Sequence, residues 1–228
     1  MNWLWSNLDL VGELMLVHLA LSVPAIILSF VASVPIGWLA HRYRWSRGVL
    51  LSLCGLLYAI PSLALFVALP PITGLSLRSP LNLVIALTLY GIAVLVRTAA
   101  DAFDSVEPDV RQSATAMGYS STGRFWGVDL PLAGPVLVSG LRVVIVSTVS
   151  LATVGAVIGV QSLGSLFTDG FQRGIQAEIF TGIVATIVLA LALDWACVRI
   201  GRLLMPWSRP DAAHRRRSIE RVERVDAA

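Results

Sequence analysis

The chain has 228 residues, 56% of them apolar and 14% charged, with a mean hydropathy of +0.78. Charged residues make up roughly a quarter of a soluble globular domain, so this composition excludes that class and leaves an integral membrane protein. Seventeen basic residues against fourteen acidic give a formal net charge of +3, and every basic residue is arginine. The arginines flank apolar runs or crowd the tail, so they report on topology and not on nucleic-acid binding.

The chain opens with MNWLWSNLDLVGEL, which has no positive leader and runs into an apolar stretch too long for a signal peptide, so the first span is expected to be retained. A helix needs about 20 apolar residues to cross a hydrocarbon core. Five stretches qualify, near residues 14–40, 49–69, 81–100, 132–160 and 178–203, with six as the upper count. The fourth is long enough to include an interfacial or re-entrant turn around Gly155 and Gly159. Pro24, Pro35 and Pro61 fall inside spans, where neighbouring helices must satisfy the carbonyl that a proline frees. Cys54 and Cys197 lie in apolar runs and read as small core residues. Trp3, Trp5, Trp45 and Trp207 stand at span boundaries, where indole rings prefer the headgroup layer.

Short cytoplasmic loops are enriched in arginine. The first loop carries Arg42, Arg44 and Arg47, the second only Arg78, and the segment before the last span only Arg173. The expected topology is therefore N-terminus outside and C-terminus inside. An arginine-rich tail is in keeping with this, and Arg215 to Arg217 would suit contact with anionic lipid. Residues 1–205 are read as the transmembrane domain and 206–228 as a polar cytoplasmic tail.

Between Ser105 and Pro131 the chain turns polar for one stretch, SVEPDVRQSATAMGYSSTGRFWGVDLP. Asp109 is placed to cap a short helix, with Gln112 reaching back and Pro108 at or just before the first turn. Gly118 then supplies a left-handed end. Ser120 or Ser121 is placed to cap a second short helix, running through Phe125 and Trp126 to Leu130-Pro131. Small residues at 113, 114 and 116 would let a partner approach the first helix closely.

The order Gln112-Ser113-Ala114, three residues, Gly118, nine residues, Val128, one residue, Leu130-Pro131 resembles the cytoplasmic coupling loop of ABC importer permeases. That loop reads Glu-Ala-Ala, three residues, Gly, nine residues, an aliphatic residue, one residue, Leu-Pro. Gln112 replaces the usual Glu and Ser113 the first Ala, which would exchange an ion pair for a neutral hydrogen bond worth roughly 0.5–1.5 kcal/mol. The resemblance covers about residues 10–205. Within it, YAIPSLALFVALPPITG and VSLATVGAVIGVQSLGSLFTDGF are similar to permeases of osmoprotectant importers.

The resemblance implies an all-α, methionine-importer-like permease fold with a coupling helix between spans three and four. By analogy Gln112, Ser113, Ala114, Gly118 and Pro131 would dock a cytoplasmic ABC ATPase. The further partners it implies are a second permease chain, identical or paralogous, an extracytoplasmic substrate-binding protein and the membrane lipid. ATP and Mg would be used by the ATPase, and no cofactor is expected on this chain. The implied cargo is a compatible solute such as glycine betaine, choline or carnitine, with an amino acid such as methionine as the alternative. An ion-driven transporter and a non-transporting scaffold are the readings from other classes.

No residue pattern points to catalysis. A phosphate-binding loop needs a lysine, which the chain lacks, and His18, His41 and His214 are too scattered to form a metal site. Charge inside the bilayer is costly, so Arg142 and Asp194, at similar depth on antiparallel spans four and five, are expected to form an ion pair. Arg97 is expected to snorkel or to pin the loop, and Glu13 and His18 to lie at the outer interface or an outer gate. Pro61 and Ser62 are the candidates for the solute path. The aromatic residues lie singly or at interfaces, so no aromatic cage for a cation is expected.

Overall fold

The computed structural model describes residues 2–208, so most of the polar tail, including Arg215 to Arg217, lies outside the described residues. The described residues contain helices and no strand. A short helix, α1 (Asn2–Ser6), precedes α2 (Leu8–Arg42), which is followed by α3 (Arg44–Ala59), α4 (Ser62–Ala68), α5 (Pro70–Thr73) and α6 (Pro80–Asp104). Beyond the polar loop helix α7 (Pro108–Ala116) come α8 (Ser121–Arg124), α9 (Leu130–Val154), α10 (Ser165–Arg173) and α11 (Gln176–Leu204). Four helical runs are long and apolar enough to cross a membrane, and a fifth span forms if the bent pair Arg47–Ala59 and Ser62–Thr73 is taken as one.

The scaffold is the seam between α2 and α6. Ala25, Ser29, Ser33 and Gly37 recur every fourth residue of α2, and all four are buried. Side chains four apart share one helix face, and small residues on that face let two backbones approach where no hydrophobic effect drives helices together. Ser29 Oγ donates to its own helix at Ala25 O (2.7 Å) and across the seam to Thr88 O (3.1 Å). A Cβ on Gly37 would stand 2.9 Å from the Ala100 backbone nitrogen, and one on Gly91 would fall on Ser29.

The second span, read from the sequence as a stretch over 49–69 with Pro61 inside it, is broken into two helices. Its halves meet at 97°. Ile60 precedes Pro61 and takes an extended conformation (φ −68°, ψ 127°), as steric conflict with a following proline ring requires. The Tyr90 hydroxyl donates to the Ile60 carbonyl. Asn82 Nδ2 donates to Phe66 O (3.1 Å), which ties α4 to α6 around the fully buried Phe66 ring.

A second departure concerns the expected short helix ending at Leu130-Pro131. From Ser121 to Ile158 the chain is one continuous helical run of 38 residues, with a π turn at Phe125–Asp129. Pro131 explains the turn: an interior proline cannot donate, and its ring collides with the carbonyl four residues back. Widening the turn, with Leu130 N–H bonded to Phe125 O, lets the helix pass the proline unbroken. At its far end the run closes in a 3-10 turn (Gly155–Ile158), and Gly159 reverses the chain at φ 86°. Ser162 Oγ then donates back to Ala152 O (3.2 Å). The turn expected around Gly155 and Gly159 is thus present, and it marks the end of the span.

The close seam gives a test. Gly37→Leu should destabilise the purified chain by about 2 kcal/mol or more through overpacking, whereas Gly12→Leu, which meets nothing within 4 Å, should change stability by less than about 0.5 kcal/mol. Thermal unfolding of both variants in the same detergent reads the difference.

Candidate functional site

The polar loop rests on a floor of aromatic and apolar side chains. Phe103 at the end of α6 is fully buried, and Phe125 stands between it and Trp38 of α2 at centroid distances of 5.9 and 5.4 Å. Val34, Ala99, Val106 and Leu137 complete this core. On it sits α7, with Pro108 in its first turn. The N-cap position is Glu107 and makes no side-chain capping bond, while Asp109 lies inside the first turn, so the capping expected of Asp109 does not occur. A proline in the first turn needs no partner for the N–H it lacks, and Asp109 there complements the helix dipole.

Gly118 ends α7 with φ +90°, the left-handed conformation that glycine adopts at no steric cost. Tyr119 N–H bonds back to Ala114 O (3.2 Å), and Ser120 Oγ caps α8 by accepting from Gly123 N–H (3.1 Å). Gln112, Ser113 and Gly118 are exposed, together with Met117 (72%) and Tyr119. Ala114 differs from the sequence-based expectation: it is 2% exposed, covered by this chain itself. Its small size therefore sets how closely α7 seats on this chain. Pro131 is likewise a helix-shaping residue, two positions past the buried Asp129.

What fastens the loop is a cluster that the sequence reading passed over. Asp129, in the π turn, has a side chain 5% exposed and accepts from Arg111 Nε at 2.9 Å, while Arg124 Nε lies 3.5 Å from its other oxygen. Arg111 also donates to the Phe103 carbonyl at the end of α6, and Arg124 Nη1 donates to Thr115 Oγ1 (3.2 Å). One carboxylate thus ties α7 and α8 to the turn that leads into α9, and Arg111 extends the tie to α6. A lone Asp between Val128 and Leu130, at the edge of an apolar run, was the available signal. Arg97, expected to snorkel or to pin the loop, is exposed.

A second ionic group lies beside the loop. Arg47 Nη1 donates to Asp104 Oδ2 (2.5 Å) and Nη2 to Asp101 Oδ1 (3.1 Å), and His41 pairs with Asp104. It locks the α2–α3 connection to the same end of α6. Deeper in the membrane, Arg142 and Asp194 meet in a two-pronged pair, Nε to Oδ1 at 2.6 Å and Nη2 to Oδ2 at 2.9 Å. The Arg142 side chain stays 48% exposed. Pro61 and Ser62 line a cavity of about 600 Å³ at the break of the second span. His18 is fully buried against Val149 O (3.1 Å), and Glu13 is exposed.

Residues 33–207 match the family described as "Binding-protein-dependent transport system inner membrane component". The chain is 30% identical over 207 residues to the osmoprotectant import permease protein OsmW of Salmonella typhimurium, covering 90% of this chain and 96% of that protein. It is 27% identical to the glycine betaine/carnitine/choline transport system permease protein OpuCD of Bacillus subtilis, covering 83% of this chain and 82% of the relative. Among solved structures, the inward-facing methionine ABC transporter MetNI superposes with a TM-score of 0.77 at 20% identity, over 87% of this chain and 98% of that one. At that identity the likeness establishes the fold. The chain belongs to the family of binding-protein-dependent transport system inner membrane components.

Two results follow from the ionic groups. Asp129→Ala should cost about 3 kcal/mol, as removing one partner of a buried pair does. Combined with Arg111→Ala it should cost much less than the sum of the two, and backbone hydrogen exchange over residues 108–119 should rise in each single variant. At the deeper pair, Arg142→Gln and Asp194→Asn should each lower the thermal midpoint. The double variant, which strands no charge, should recover part of the loss.

Proposed function

We propose that this member of the binding-protein-dependent permease family is the membrane subunit of an ATP-driven importer for compatible solutes of the glycine betaine, choline and carnitine class. The cargo follows the names of the relatives, two of which are osmoprotectant or betaine, carnitine and choline permeases. The methionine alternative draws support only from the fold, and family membership leaves no need for an ion-gradient drive.

The observation that carries the reading is an exposed helix and left-handed turn, Pro108 to Tyr119, fastened from below by the buried Asp129. Gln112, Ser113, Met117 and Gly118 present a surface for a cytoplasmic ATPase, which would bind ATP and Mg itself. Arg111 links that surface to α6 and Asp129 links it to α9, so a displaced loop pulls on two spanning helices at once. In this reading residues 1–205 form the transmembrane domain, the N-terminus lies outside and the 206–228 tail inside. An extracytoplasmic binding protein delivers solute, and a second permease chain completes the path. The half-exposed Arg142 at mid-span supports a second chain, because a guanidinium facing lipid is costly.

The test is Gly118→Trp in the complex with its ATPase and binding protein. The positive φ disfavours any side chain, while nothing within 4 Å would clash with a Cβ, so the membrane core should remain folded. ATPase co-purification and ATP-dependent uptake of labelled glycine betaine and choline should both be lost. Uptake equal to wild type would refute the docking role.

A further inference from the structure

The cavity at the break of the second span differs in kind from a second cavity among the described residues. The latter, also about 600 Å³, lies between α2, α9 and α11 and is walled almost wholly by aliphatic side chains, with Met205 and Trp207 at one end, a surface suited to acyl chains. The cavity at the break is walled by Tyr58, Tyr90, Ser62, Ser147, Thr148 and Ser150 among others, and none of its described lining residues is charged. Hydroxyl groups at membrane depth are costly unless they meet a backbone carbonyl, water or a polar ligand, so this wall suits water or a polar ligand better than an acyl chain.

The rings of Tyr58 and Tyr90 meet edge to face, with centroids 6.4 Å apart and planes at 79°. Tyr90 is 5% exposed and its hydroxyl is engaged with the Ile60 carbonyl, which fixes the ring. Tyr58 is 59% exposed and borders the cavity. The two residues are 32 positions apart in the sequence and meet because α3 packs on α6. These two rings therefore do not lie singly, as the sequence suggested, but they form no closed cage.

We propose that the Tyr58–Tyr90 corner is a transient cation–π station on the solute path, taking the quaternary ammonium group of the cargo while the Ser62 and Ser147 side of the cavity faces its polar end. The inference rests on the quaternary-ammonium reading of the cargo. Ring faces attract a poorly hydrated cation with modest energy, and a wall without a carboxylate holds it by no ion pair. A site on a path must release what it binds, and a two-ring corner does so more readily than a closed cage.

The experiment compares wild type, Tyr58→Phe and Tyr58→Leu in proteoliposomes holding the whole complex, with labelled choline and saturating binding protein. The readout is choline accumulated per ATP hydrolysed, so a poorly assembling variant lowers both quantities and not their ratio. Tyr58→Leu should lower the ratio about tenfold, from the loss of roughly 1–1.5 kcal/mol of cation–π attraction, and Tyr58→Phe, which keeps the ring face, should restore most of it. A ratio for Tyr58→Leu equal to wild type, or an equal fall in both variants, would overturn the proposal. Absence of choline and glycine betaine uptake by a wild-type complex that hydrolyses ATP would instead overturn the cargo reading, and the station with it.

Discussion

The Asp129 carboxylate is the constraint on which the loop side of the molecule depends. A buried carboxylate is tolerated only when it is paired and hydrogen-bonded, and Asp129 meets that requirement by drawing in Arg111 from α7 and Arg124 from α8. Arg111 is in turn committed to the Phe103 carbonyl, one of the carbonyls that a helix C-terminus leaves without an intrahelical partner. The loop helix therefore cannot tilt freely against the membrane. To move, it must carry the ends of α6 and α9 with it or break a pair whose separation leaves a charge stranded. Pro131 takes part indirectly, because the π turn that it imposes is the segment that carries Asp129.

The rest of the structure gives those two helices something to move against. On α2, Ala25, Ser29, Ser33 and Gly37 bring its backbone close to α6 over the second half of α2, and at the loop end His41 of α2 and Arg47 of α3 fasten to Asp101 and Asp104 of α6. The outer helix α11 differs. It buries little of its surface and shows Phe180, Val184, Ile187, Val188, Leu191 and Trp195, so the tight half of the molecule is α2 with α6, and the open half is available to lipid or another chain.

The membrane class and the five apolar stretches were legible because hydropathy over about 20 residues is a strong, local signal. The left-handed turn at Gly118 and the Ser120 cap were legible for the same reason, since turn and cap chemistry are written in adjacent residues. What was not legible depends on pairs distant in sequence: Arg111 with Asp129, Asp104 with Arg47, Tyr58 with Tyr90. Arg142 and Asp194 were an exception, because a charge deep in an apolar run announces that it needs a partner. Applied to Asp129 at the edge of its run, the same rule would have found the loop's anchor. The four-residue spacing of small residues on α2 was open to inspection too, although periodicity alone does not say which helix the small face meets. The 97° break was half visible: Pro61 marked it, but a proline inside a span is compatible with a kink or with a full turn, and only the bonds from Tyr90 and Asn82 decide for the turn.

The two features assigned to function lie on the same pair of helices. α6 carries Tyr90 in the cavity wall and Phe103 under the loop, 13 positions apart; α9 carries Ser147 and Thr148 at the cavity, and the helical run it belongs to carries Asp129 at the loop. At 1.5 Å per residue the separation along α6 is about 20 Å, a distance over which a packed helix moves as a rigid body. A change in the splay of α6 and α9 imposed at Asp129 and Phe103 is therefore also a change in the width of the cavity between them. No relay of side chains is needed, because the rigid elements themselves span both sites. The broken second span fits this arrangement. Its first half is linked to α6 through Arg47 and its second half through Asn82, while the extended Ile60–Pro61 joint between them, held to α6 by Tyr90, lies at the cavity where the spacing would change.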